Sequence, residues 1–75
     1  MRYIKTMKPT PCKYRGIAVA RALYKGDLAL ARAHADNFTW WNTIEVWAIL
    51  AAANHRFGDQ GRAIGLTVMG WERYL

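Results

Sequence analysis

The sequence predicts an all-α protein, a compact four-helix domain of two stacked helical hairpins behind a basic N-terminal arm. Three observations carry this expectation. Gly26-Asp27-x-x-x-Ala31 returns 32 residues later as Gly58-Asp59-x-x-x-Ala63. The same offset sets Ile17 on Ile49 and Ala20 on Ala52. Each Gly-Asp pair falls where one helix must stop and the next begin. Glycine adopts the left-handed conformation of a helix end at little cost, and aspartate accepts from the free N–H groups of a new helix. Recurrence at a fixed period is the mark of stacked helical units. The expected organisation is an arm over residues 1–10 and one helical domain over 11–75. The first hairpin spans about 11–37 and the second about 43–75.

Taken in order, Thr10 followed by Pro11 is a helix start, with Thr as cap and Pro at the first helical position. The first helix should cover residues 11–25. Cys12, Gly16, Val19, Ala20 and Leu23 fall on one side, with Lys13, Tyr14, Ile17, Arg21, Tyr24 and Lys25 on the other. The second helix covers about 27–36 and is rich in Ala, so a neighbour can approach it closely. Residues 37–43 break the pattern and carry Phe38, Trp40 and Trp41.

Asn42 with Glu45 three residues on reads as a capping box opening a third helix over 43–57. That helix is apolar nearly all round from Val46 to Ala53, which places it centrally, with Trp47 in the core and Asn54 on the same buried stripe. A fourth helix should begin at Asp59 or Gln60 and reach Tyr74, with Ala63, Leu66, Met69 or Gly70, and Trp71 or Tyr74 inward. Gly61, Gly65 and Gly70 weaken it, yet would let it pack tightly on the third helix.

The spacing resembles the tetratricopeptide repeat. Trp47, Leu50, Ala51, Gly58, Asp59 and Ala63 stand at that family's large, small and turn positions. Val19, Leu23, Gly26, Asp27 and Ala31 do so in the first unit. Arg15 replaces the leading aromatic, Asn54 another aromatic and Gly70 a late Ala. The period is also two residues short of the usual 34. The resemblance implies helix pairs and partner binding rather than chemistry.

Charge narrows the function classes. Residues 1–32 hold eight Lys/Arg against Asp27 alone, and the rest of the chain is slightly acidic, for a net charge of +6. A one-sided basic distribution suits an acidic protein surface or nucleic acid. The longest apolar run, eight residues from Val46 to Ala53, is far short of the roughly 20 that cross a bilayer. The reading is a cytoplasmic protein with no membrane contact.

The single Cys12 excludes an internal disulfide, and His34 and His55 lie in different units. No Ser/His/Asp or Cys/His set, metal-ligand spacing or phosphate loop stands out. The sequence therefore predicts no enzyme, no metal and no cofactor.

Two groups remain as binding candidates. Lys13, Tyr14, Arg21, Tyr24 and Lys25 share one face of the first helix. Phe38, Trp40 and Trp41 form the densest aromatic patch. Adjacent tryptophans differ by about 100° on a helix, so one of the pair should face outward. The first helix offers no Asn, Gln or Ser to read base edges. The preferred reading is a protein-binding module that docks on and modulates another protein of acidic surface, in the manner of a phage- or mobile-element-encoded inhibitor of a host system. The alternatives are a basic nucleic-acid-binding regulator and a structural homodimer.

Overall fold

A computed structural model describes residues 14–36, 38 and 40–75. The basic arm, the Thr10-Pro11 start, Cys12 and Lys13 lie outside the described residues. Among the described residues the regular structure is all helical, without strands: α1 (Arg15–Tyr24), α2 (Leu28–Ala35), α3 (Thr43–Phe57) and α4 (Gly61–Val68). Short 3-10 turns cover Gly58–Gln60 and Glu72–Tyr74.

Helix ends follow the capping residues. Gly26 has φ 76°, its N–H donates to the Leu23 carbonyl, and the N–H of Asp27 reaches back to Ala22. That pair of bonds satisfies carbonyls which α1 would otherwise leave bare. Asp27 then caps α2, its Oδ1 accepting from the Leu30 N–H at 3.0 Å. At the head of α3 the capping box is complete. Asn42 Oδ1 accepts from the Glu45 N–H at 2.8 Å, and Glu45 Oε1 accepts from the Asn42 N–H at 3.0 Å.

The second unit departs from the first. Gly58 ends α3 with φ 64°, but Asp59 does not cap α4. It lies in a 3-10 turn, and the residue at the cap position, Gln60, makes no side-chain capping bond. The last helix also stops at Val68 rather than reaching Tyr74. Gly70 (φ 77°) closes it as Gly26 closes α1, with Gly70 N–H on Thr67 and Trp71 N–H on Leu66. Gly70 is a helix end, not a weak point within a helix.

α1 packs against both α2 and α3, and α3 against α4. The core is built from Val19, Leu23, Ile49, Leu66, Val68, Met69 and Trp41, filled in by Ala20, Ala22, Ala31, Ala35, Ala52 and Ala53. So many alanines mean short interhelical distances. Gly61 and Gly65 extend that closeness to α4. A Cβ on Gly61 would lie 2.5 Å from the Asn54 backbone nitrogen, and one on Gly65 would lie 2.8 Å from a Leu50 methyl.

Three expected core positions are exposed instead. Trp47, Asn54 and Ala63 all face outward. α3 is apolar nearly all round, so composition alone does not say which side α1 and α4 cover. They cover Ile49, Ala52 and Ala53, leaving Trp47 on the open side.

Candidate functional site

Arg15, at the start of α1, is the largest fully buried side chain among the described residues. Its Nε donates to Glu45 Oε2 at 2.6 Å and a terminal nitrogen donates to Oε1 at 2.9 Å, a bidentate pair. Charge-assisted, two-pronged bonds of this kind are among the strongest available to side chains. Gly16 makes room for the pair, since a Cβ there would come within 2.9 Å of Glu45 Cγ.

Three rings enclose the guanidinium: Phe38 at 4.4 Å, Trp40 at 4.3 Å and Trp41 at 4.8 Å from their centroids. Negative ring faces attract the cation and exclude water from it. The Arg15 hydrogen bonds hold the Glu45 carboxyl below its ordinary range. Burial acts in the opposite direction, and the Asn42 backbone N–H and the Arg15 charge add to the lowering.

The sequence-predicted aromatic patch is thus brought together, but around a cation of the same chain. Trp41 is buried, edge-on to Phe38, and its indole N–H donates to the Met69 carbonyl at 3.2 Å. It ties the α2–α3 connection to the end of α4. Trp40 is the outward-facing member of the pair, 59% exposed.

The remaining candidates lie on the open side of α1. Tyr14, Arg21, Tyr24 and Lys25 are all exposed, as the helical register predicts, and Ile17 lies among them. Tyr24 meets His55 edge-to-face at 5.4 Å. That contact at one end, and Arg15 on Glu45 at the other, show that α1 and α3 run side by side in the same direction.

Their outer stripes lie on neighbouring helices and meet where Tyr24 touches His55. α1 supplies Ile17, Arg21 and Tyr24. α3 supplies Ile44, Ala48, Ala51 and His55, with Trp47 beside them. Ile44 is 80% exposed and Trp47 73%. Sequence reasoning missed Ile44, Trp47 and Ala51 as surface residues. The signal available was the Ile44/Ala48/Ala51/His55 spacing, hidden because the rest of the helix is equally apolar.

Elsewhere, Leu28, Arg32, Ala63, Ile64, Thr67 and Val68 line an open apolar hollow of about 210 Å³ between α2 and α4. No group of three or more His, Cys, Asp or Glu residues among the described residues is placed to hold a metal. None of the described helices is long and apolar enough to cross a membrane. Comparison of the chain with family models, curated proteins and solved structures gave no match.

Proposed function

We propose that this chain is a protein-docking module whose contact surface is the open face of α1 and α3. The observation that carries this reading is the exposure of Ile17, Tyr24, Ile44 and Trp47 on two helices of shared direction. Single exposed apolar residues are ordinary, but a contiguous set marks an interaction site. Trp, Tyr and Arg are also the side chains that dominate binding energy at protein interfaces. Docking of this kind would modulate the partner by occlusion, with no chemistry of its own.

The finer architectural reading accompanies it: two stacked helix pairs of tetratricopeptide type, with α1 and α3 as the leading helices. Unequal behaviour of the matched residues marks how far such a duplication has diverged. Ala20 and Ala52 are both buried. Ile17 is exposed where Ile49 is buried, and Ala63 is exposed where Ala31 is buried.

Nucleic-acid binding is the second reading, and the charge distribution favours it. Residues 1–13 carry four of the eleven Lys/Arg and no acid, hence +4 of the net +6. The helical part contributes the smaller share. Phosphate contacts weaken steeply with salt, whereas an apolar face does not.

The test pairs two measurements. Proteins retained by the immobilised chain at high salt, and lost with Trp47→Glu, support docking when hydrogen exchange of the purified complex protects α1 and α3. Retention unaffected by Trp47→Glu, together with salt-sensitive binding of a random duplex that Arg21→Glu abolishes, overturns it.

A further inference from the structure

The internal repeat points to what covers the open side of α3, because the matching surface of α1 is already covered. Two contacts fix how α1 meets α3. Glu45 holds Arg15 and crowds Gly16, and the Arg56 guanidinium lies against Gly26. Glu45, Ile49, Ala52 and Arg56 are spaced i, i+4, i+7 and i+11, one stripe of a helix. Both ends of that stripe touch α1, and Ile49 and Ala52 between them are fully buried. The surface that α1 offers in return runs from Gly16 through Val19 to Leu23 and is buried too.

Each of these surfaces has an image in the other unit, and both images are uncovered. The offset of 32 places the identical Ile17 and Ala20 on Ile49 and Ala52, and Tyr24 on Arg56. Ile17 and Tyr24 are 53% and 51% exposed. The same offset places Gly16, Val19 and Leu23 on Ala48, Ala51 and His55. Ala48 is half-buried, and Ala51 and His55 are exposed. Small residues there leave room for a helix to approach α3 closely, as Gly16 does for α3 on α1. Phe38, Trp40 and Trp41 gather after α2, and the stretch after α4 carries Trp71, Tyr74 and Leu75, the last two exposed. One end of the molecule thus presents what a preceding unit would bury, and the other end what a following unit would bury.

We infer, resting on the docking reading, that the partner is a second copy of this chain, stacked head to tail. The Ile17 and Tyr24 side of α1 in one copy lies on the Ala48, Ala51 and His55 side of α3 in the next. This contact continues the one that joins α1 to α3 within the chain. It joins two different surfaces, so it does not close at two copies and runs on as an open series. Stacked helical units build a continuous core in this way, whereas two units alone leave both ends bare. A two-fold dimer would set the α3 surface against itself, a pairing with no counterpart among the described helices.

Sedimentation equilibrium of the full chain tests the stacking. A net charge of +6 per chain opposes it, and salt screens that repulsion. At moderate salt the average mass should climb past two chains as concentration rises, and at low salt it should fall toward one. Ile17→Glu blocks one surface and Ala51→Glu the other, at exposed positions that spare the core. Both changes lower the net charge, so any loss of association does not come from added repulsion. Each variant alone should stay at one chain. An equimolar mixture should form a species of two chains and stop there, because one intact surface of each kind remains. That species also shows both variants to be folded.

A single chain at every concentration and salt overturns the stacking. A native assembly that ends at two copies does so as well, as do variants that still assemble alone or fail to pair when mixed. Assembly that appears only with added duplex counts against it equally. If a monomeric chain retains another protein that Trp47→Glu releases, docking stands while stacking falls. If Trp47→Glu changes no retention either, both fall.

Discussion

Arg15 and Glu45, 30 residues apart, hold each other through two hydrogen bonds beneath the rings of Phe38, Trp40 and Trp41. Glu45 also closes the capping box of α3 through Asn42. One carboxylate therefore joins α1 to α3 and fixes where α3 begins. Glu45→Gln leaves a buried guanidinium without its counter-charge and should cost about 3–5 kcal/mol. The Arg15→Met, Glu45→Met double variant should cost much less, because no charge is stranded. Urea unfolding of the three proteins checks this, and equal losses for single and double variants would refute it.

The same pair sets an acid limit. Its Arg15 bonds lower the Glu45 pKa in the folded protein relative to the ordinary value of 4.5. A depressed folded pKa gives stability that is fully present above the unfolded value and is lost as pH falls through the folded one. Stability should thus be level near neutrality with respect to this pair and decline below about pH 4.5. The decline should be steeper in the native protein than in the double methionine variant. Parallel stability curves for the two would show that the pair does not supply the dependence.

Elements and caps were legible in the sequence where a local rule decides them. Asn42, Glu45, Gly26 and Asp27 act over three or four residues, so their roles follow from spacing. The outward set Tyr14, Ile17, Arg21, Tyr24 and Lys25 was legible too, because α1 alternates clearly between apolar and polar sides. Trp47 was not. On a helix apolar all round, orientation depends on which neighbours arrive, and Gly61 and Gly65 bring α4 against Asn54 and Leu50. Arg15 stands out in the sequence only as a departure from a family pattern. Its signal was the combination of a lone arginine on an otherwise apolar stripe and a capping glutamate one helix away.

The reversal of Trp41 and Trp47 is directly testable. Trp41→Ala removes a buried ring and strips the Met69 carbonyl of its donor, and should cost about 3–5 kcal/mol. Trp47→Ala removes a ring that is 73% exposed and should change stability by about 0.5 kcal/mol or less. Thermal or urea unfolding separates them. A large loss at Trp47 would place that ring in the core.

The α3–α4 contact yields a contrast between two glycines. Alanine raises helix propensity by about 1 kcal/mol over glycine, so Gly65→Ala, which crowds the end of the Leu50 side chain and makes ordinary contact with Ala53, should be near neutral. Gly61→Ala meets Asn54 backbone atoms that cannot turn aside. Strain of about 1–3 kcal/mol should exceed the propensity gain. Stabilisation by Gly61→Ala would mean that α4 stands farther from α3.

Unequal capping gives the last test, on the two aspartates that the repeat sets in register. Asp27 accepts from the Leu30 N–H at the head of α2, and losing such a cap costs about 1 kcal/mol. Asp59 is exposed in a 3-10 turn and caps nothing. Asp27→Ala should therefore lower the urea midpoint, while Asp59→Ala should leave it within about 0.5 kcal/mol of native. Gly61 opens α4 in close contact with Asn54, and Asp59 lies in the 3-10 turn before it, short of the cap position that Gln60 holds. Equal losses at both aspartates would restore the symmetry of the duplicated motif.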